Sequence, residues 1–115
     1  MSDAAFQLLF VCSGNTCRSP LAEVLARRWL ESRGLEASAR VLSAGTGAYP
    51  GDPASQGSRD AAERHGLDLS THRSTALSRE LVADSDVVLG MSPHHVVTVH
   101  GLGGEEKAAL ITAFS

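Results

Sequence analysis

A chain of 115 residues is one small domain with room for a single core. Its composition, 43% hydrophobic and 20% charged, is that of an ordinary soluble globular protein, and a net charge of −3 argues against nucleic acid as the main partner. No apolar stretch is long enough to cross a bilayer, and Met1 to Ala5 lack the basic start of a secretory leader. Two cysteines in one loop make no disulfide framework, so the expected compartment is the cytoplasm.

In chain order, Leu8 to Val11 is a short apolar run that predicts a buried parallel strand. Cys12, Ser13, Gly14, Asn15, Thr16, Cys17 and Arg18 follow, and then Ser19 and Pro20, which read as the N-cap and first position of a helix. Amides of a tight loop that turns into a helix form a nest for an oxyanion. Arg18 adds two parallel N–H groups suited to a phosphoryl group, in a geometry that lysine does not supply. A thiol facing this positive field favours the thiolate, which makes Cys12 the candidate nucleophile. Ser19 is placed to donate a hydrogen bond to that thiolate and later to the departing sulfur. The chemistry that follows is a cysteinyl-phosphate intermediate hydrolysed by water, which is a phosphatase reaction. A Cys-x5-Arg spacing recurs by accident, and a buried Cys12 beside a surface Arg18 is the bland alternative. The Gly14-Asn15 turn and the Ser-Pro helix start supply the context that favours a site.

Pro20 to Arg33 predicts an amphipathic helix ended by Gly34. Leu21, Leu25 and Trp29 recur every fourth residue and are expected to face the sheet, with Trp29 in the core. Glu23, Arg27 and Glu31 form the opposite, solvent-facing stripe. Ala39 to Ala44 reads as a second strand, Gly45 to Pro53 as a Gly- and Pro-rich loop, and Ala54 to His65 as a second helix capped by Gly66. Leu67 to Ser74 is an irregular connector. Ser78 caps a short helix to about Asp84, Val87 to Met91 is a third strand, and Ser92-Pro93 repeats the Ser-Pro helix start. His94, His95 and His100 invite a metal reading, but carboxylate or cysteine ligands at suitable spacing are missing, so no metal and no cofactor are expected. Glu105 to Phe114 is ambiguous by pattern, its Ala and Lys content favouring helix. Alternation of strands and helices predicts a doubly wound α/β domain with a parallel sheet, its ligand beyond the carboxyl ends of the strands.

The stretch from Cys12 to Pro20 resembles the signature C-x-G-N-x-C-R-S-P of the low-molecular-weight protein tyrosine phosphatases at every fixed position. The resemblance continues through SAGTGAYPG, HGLDLSTHRS and SDVVLGM and covers essentially the whole chain, read as one domain over residues 1–115. It implies four strands in the order 2-1-3-4, the last at about Ala108 to Ala113. It implies that Ser13, Gly14, Asn15, Thr16 and Cys17 bind the phosphate, with Cys12, Arg18 and Ser19 catalytic. Tyr49 would wall the substrate cleft, and Ser43 and His72 would brace Asn15.

The resemblance also implies a general-acid Asp in an Asp-Pro loop soon after the fourth strand, and a helix after it that covers the sheet. The sequence reaches Ser115 before either, and its one Asp-Pro, Asp52-Pro53, aligns with the cleft wall. A fragment and a naturally short domain are both compatible with this. In either case an apolar sheet face is expected to lie open, inviting homodimerisation. The expected partner is a phosphorylated protein, with inorganic phosphate or another oxyanion in the loop. Thr16, where tyrosine phosphatases of the family usually carry a larger aliphatic residue, resembles the protein arginine phosphatase branch, whereas Tyr49 resembles the tyrosine side. Two alternatives remain: a phosphate-binding module weakened by lack of the acid, and an arsenate reductase, which would need further cysteines after Cys17. Cys12 and Cys17 flank one loop and could also form a reversible protective disulfide.

Overall fold

The computed structural model describes residues 6–114; Met1 to Ala5, read above for a leader, lie outside them. Four parallel strands, β1 (Phe6–Cys12), β2 (Ala39–Gly45), β3 (Val87–Gly90) and β4 (Ala108–Leu110), form a sheet in the order β2-β1-β3-β4. Helices α1 (Arg18–Ser32), α2 (Gln56–Arg64), α3 (Arg79–Asp84) and α4 (Pro93–Gly101) connect them. The expected α/β class and strand order are those observed.

Pleating divides the sheet into two faces. Leu9 and Val11 point to one face and form the main core with Ala44, Val82, Val88 and Val99. Burying a Val or Leu side chain contributes about 1.5–3 kcal/mol, so each of these contacts stabilises the fold. On the other face lies α1, which shares a second cluster of Ala54, Ala62 and Leu69 with α2 through Leu21 and Val24. Helix–strand alternation thus wraps both faces, and β1 sits in the middle with its carboxyl end at the rim.

Several element limits differ from those read in the sequence. The first helix starts at Arg18, with Cys17 at its N-cap position, so Ser19 and Pro20 lie inside its first turn. The Ser19 hydroxyl bonds to Asn15 and Cys12 instead of capping the helix. The second helix starts at Gln56, where Ser55 accepts the amide of Ser58. The fourth strand stops at Leu110 and a 3-10 turn, Ile111–Phe114, follows.

The largest correction concerns the orientation of α1. Trp29 is 52% exposed and Leu25 is also exposed, whereas Glu23 is buried. Polar anchors set this rotation: Glu23 reaches Ser43, and the Arg27 guanidinium donates to the carbonyl of Val41 at 2.8 Å. Leu25 follows Glu23 by two positions, about 200° around the helix, and Trp29 lies on its side. The indole is covered on one face by the Arg33 guanidinium, 4.6 Å from the ring centroid. Beside it runs an open apolar cleft of about 330 Å³ lined by Phe6, Leu8, Ala26, Trp29, Leu30 and Val41.

Candidate active site

Cys12 ends β1 at the carboxyl rim of the sheet, and the chain turns through Ser13–Cys17 into α1. Two main-chain bonds hold this turn against the strand beside it. Thr46 N–H donates to the Cys12 carbonyl and Gly47 N–H to the Ser13 carbonyl, each at 2.9 Å. Gly45 is required at this junction, since a Cβ there would lie 2.5 Å from the Ser13 carbonyl oxygen and 2.9 Å from the Asn15 nitrogen.

Asn15 is the centre of the turn. Its φ of 55° is left-handed, a conformation that Asn tolerates better than most residues, and the residue is fully buried. Every polar group it carries is used, as burial requires. Its main-chain N–H donates to the Cys12 sulfur at 3.3 Å, and its carbonyl accepts His72 Nε2–H at 2.7 Å. Oδ1 accepts the amide of Thr75 at 2.7 Å, which fixes the orientation of the side-chain amide because a main-chain N–H only donates. Nδ2 then donates to Ser19 Oγ at 2.8 Å and to Ser43 Oγ at 2.9 Å.

These donations set the remaining protons. Ser19 Oγ accepts from Asn15, so its own hydrogen is available to the Cys12 sulfur 2.9 Å away. Ser43 likewise passes its hydrogen to Glu23 Oε1 at 2.5 Å, and Glu23 pairs with Arg27. The thiol and the buried Glu23 carboxylate therefore sit at the two receiving ends of an ordered network whose donor is the Asn15 side-chain amide. Meanwhile the N–H groups of Gly14, Thr16, Cys17 and Arg18 meet no acceptor of the protein among the described residues. Together with the positive end of the α1 dipole, they make the loop a site for an anion.

Arg18 is exposed at the head of α1, and its Nη1 donates to Ser92 Oγ at 3.3 Å. Ser92 caps α4, which begins where β3 ends, directly beside β1 in the sheet. His95, one turn on, is fully buried and lies 2.9 Å from Ser13 Oγ through Nε2. Burial, the neighbouring His94 and the Arg18 charge hold its imidazole below the usual histidine range. On the opposite flank, Cys17 Sγ approaches Ser55 Oγ at 3.4 Å, the Ser58 hydroxyl donates to the Cys17 carbonyl, and Ser55 N–H donates to the Thr16 carbonyl.

The sequence-derived residues Cys12, Asn15, Ser19, Ser43 and His72 are thus joined in one network, with His72 bracing the carbonyl of Asn15. Ser13 and Arg18 are tied to the head of α4. Thr16 is half-buried in the loop, its hydroxyl 3.9 Å from Cys17 Sγ. Tyr49 is 77% exposed and its side chain makes no hydrogen bond to these residues, though its carbonyl accepts the Ser74 hydroxyl. Asp52 is exposed, its main-chain amide held by Ser74 Oγ at 2.8 Å. Sequence reasoning missed Glu23, Ser92, His95 and Thr75. A signal for two of them existed: Ser92-Pro93 begins a helix at the end of the strand adjacent to β1, so its first turn must face the Cys12 loop.

A thiol at the carboxyl end of a middle strand of a doubly wound sheet, at the head of a helix beside unpaired loop amides and an arginine, is an arrangement suited to holding an anion against a nucleophile. The chain belongs to the low molecular weight phosphotyrosine protein phosphatase family, whose match extends over residues 7–114. It is 40% identical over 84 residues to the probable low molecular weight protein-tyrosine-phosphatase EpsP of Ralstonia nicotianae, covering 73% of this chain and 54% of that protein. To the protein-arginine-phosphatase of Bacillus subtilis it is 40% identical over 105 residues, covering 91% of this chain and 68% of the relative. The chain therefore spans between about half and two-thirds of the length of these relatives. The crystal structure of a YwlE mutant from Bacillus subtilis superposes with a TM-score of 0.88 at 32% identity, covering 96% of this chain and 74% of that one.

Proposed function

We propose that this chain is a protein phosphatase acting through a cysteinyl-phosphate intermediate. The observation that carries the reading is the Cys12 sulfur, which receives the Asn15 N–H and the Ser19 hydroxyl at the head of α1 beside Arg18. In the first step the Cys12 thiolate attacks phosphorus, an S–P bond forms, and the bond from phosphorus to the leaving oxygen or nitrogen breaks. The leaving atom takes a proton from solvent water. In the second step water attacks phosphorus, the S–P bond breaks, and phosphate leaves the thiolate to the care of Ser19 and Asn15. The loop amides and Arg18 hold the three equatorial oxygens as charge develops on them. Asn15, Ser43 and His72 hold the loop in shape without touching the substrate.

Phosphoarginine is the favoured side chain. Thr16 is small and hydroxylated at the loop, and the match to the arginine phosphatase spans more of this chain than the match to EpsP at equal identity. Phosphotyrosine is the runner-up, supported by Tyr49 and by the many relatives named as tyrosine phosphatases. A second reading, a phosphate-binding module with little turnover, is favoured by one observation. Among the described residues no carboxylate bonds to the Cys12–Arg18 loop, so no acid is in place to protonate a leaving group.

The deciding experiment is Cys12→Ser assayed with p-nitrophenyl phosphate and with tungstate binding. Turnover is expected to vanish while the oxyanion still binds. Hydrolysis at the parent rate by the mutant would overturn the proposed mechanism, and a parent that binds but never hydrolyses would favour the binding module.

A further inference from the structure

The pair Ser13–His95 lies outside the Asn15 network and has no part in the proposed steps, yet one of its members follows the nucleophile directly. His95 Nδ1 accepts the main-chain N–H of Ser92 at 3.0 Å. A main-chain N–H only donates, so Nδ1 carries a lone pair and the ring proton is on Nε2. Nε2–H therefore donates to Ser13 Oγ, 2.9 Å away. One lone pair of the hydroxyl is thereby occupied, and the Ser13 hydrogen has to be aimed elsewhere. Among the described residues it meets no other protein partner. Ser13 is exposed in the same turn as the unpaired amides of Gly14, Thr16, Cys17 and Arg18. The tautomer also excludes a base at this position, since the ring atom facing Ser13 already carries a proton. A neutral imidazole that gave up that proton would become an imidazolate, so the pair is no acid either.

We propose that Ser13 is a further hydrogen-bond donor to the oxyanion held by the loop, and that His95 is the positioning residue that turns its hydroxyl outward. The same turn of α4 holds Arg18 through Ser92, so one helix start orients two donors on the anion. Burial of the imidazole and the Arg18 charge beside it favour the neutral ring that this arrangement requires. The inference rests on the reading of the Cys12 loop as an oxyanion site.

Two replacements of His95 separate positioning from mere helix capping. Asn offers a group near the place of Nδ1 and so preserves the bond from Ser92, whereas Gln reaches the place of Nε2 and preserves the donor to Ser13. Tungstate affinity of the full chain is the readout, with thermal unfolding of each variant measured separately. Ser13→Ala should weaken tungstate by on the order of ten- to a hundredfold, the range for one hydrogen bond to a charged group. His95→Asn should lose as much, His95→Gln much less, and Ser13→Ala combined with His95→Asn no more than either alone. Unchanged affinity in Ser13→Ala overturns the proposal by itself, and this exposed position decides the matter even if a His95 variant fails to fold. Equal loss in the Gln and Asn variants overturns the role of His95. A parent that binds no tungstate overturns both this proposal and the phosphatase reading, whereas a parent that binds it without turnover overturns only the latter.

Discussion

Glu23 Oε1 accepts the Ser43 hydroxyl at 2.5 Å, and this contact anchors one end of the network that Asn15 joins to the thiol. A carboxylate only accepts, so the Ser43 hydrogen is committed to it. Ser43 then receives from Asn15, whose second amide hydrogen goes to Ser19, whose own hydrogen faces Cys12. Removing the acceptor leaves the buried Ser43 hydroxyl hydrogen without a partner. Glu23→Ala should therefore lower stability by about 1–3 kcal/mol, and Glu23→Gln, which retains an acceptor, by less. Urea denaturation of the three proteins measures this, and equal midpoints would remove Glu23 from the network.

Among the described residues Arg18 makes one side-chain hydrogen bond, from Nη1 to Ser92, which leaves most of its planar fork for a phosphoryl group. Lysine preserves the charge and loses the paired N–H geometry. Arg18→Lys should cost on the order of 10² in kcat, the scale for loss of an oriented donor at a developing charge. Near-parental kinetics would reduce Arg18 to a surface residue.

Thr16 can change without loss of the Asn15 network, since among the described residues its hydroxyl approaches only Cys17 Sγ, at 3.9 Å. Thr16→Ile should move preference from phosphoarginine toward phosphotyrosine. Both substrates assayed on both proteins give the ratio directly, and a constant ratio would discard the arginine reading.

The His95 imidazole is held below the ordinary histidine value of about 6.5, through burial first and then through His94 and Arg18. The unfolded chain therefore takes up a proton at this residue at a higher pH than the folded chain does. Stability from this site is present in full above about pH 6.5 and is lost as the pH falls through the folded value. Tungstate affinity should fall over the same range, because a proton on Nδ1 displaces the Ser92 amide. Unfolding and binding followed from pH 7.5 to 5 should both show this, with a shallower slope in His95→Gln; parallel slopes would assign the pH dependence to other groups.

Among the described residues no carboxylate bonds to the Cys12–Arg18 loop, and a site that works without a positioned acid has its leaving atom take the proton from water. Positioned proton transfer contributes on the order of 10² to 10⁴ in rate. The 115-residue chain should then cleave activated aryl phosphates and lose rate steeply as leaving-group pKa rises. A flat dependence across a series of aryl phosphates would mean that a carboxylate serves as acid, with Asp52 the first to mutate.

What the sequence by itself determined was local: a buried strand ending at Cys12, a polar turn leading into a helix near Arg18, and the Ser92-Pro93 helix start. Apolar runs, turn residues and cap residues act over a few positions, so these features and the α/β class follow from the order of residues alone. The family resemblance added Ser43 and His72, whose bonds to Asn15 span 28 and 57 positions. The orientation of α1 was decided only by tertiary structure. Leu25 and Trp29 carry the stronger apolar signal, yet the bonds of Glu23 to Ser43 and of Arg27 to Val41 turn the other side of the helix inward. Likewise, the Ser92-Pro93 helix start marks the turn that holds His95 as one near the Cys12 loop, but only the fold pairs its imidazole with Ser13, 82 positions away. Placing β3 next to β1 brings the start of α4 against the Cys12 loop, and only there does a buried imidazole meet the hydroxyl that follows the nucleophile.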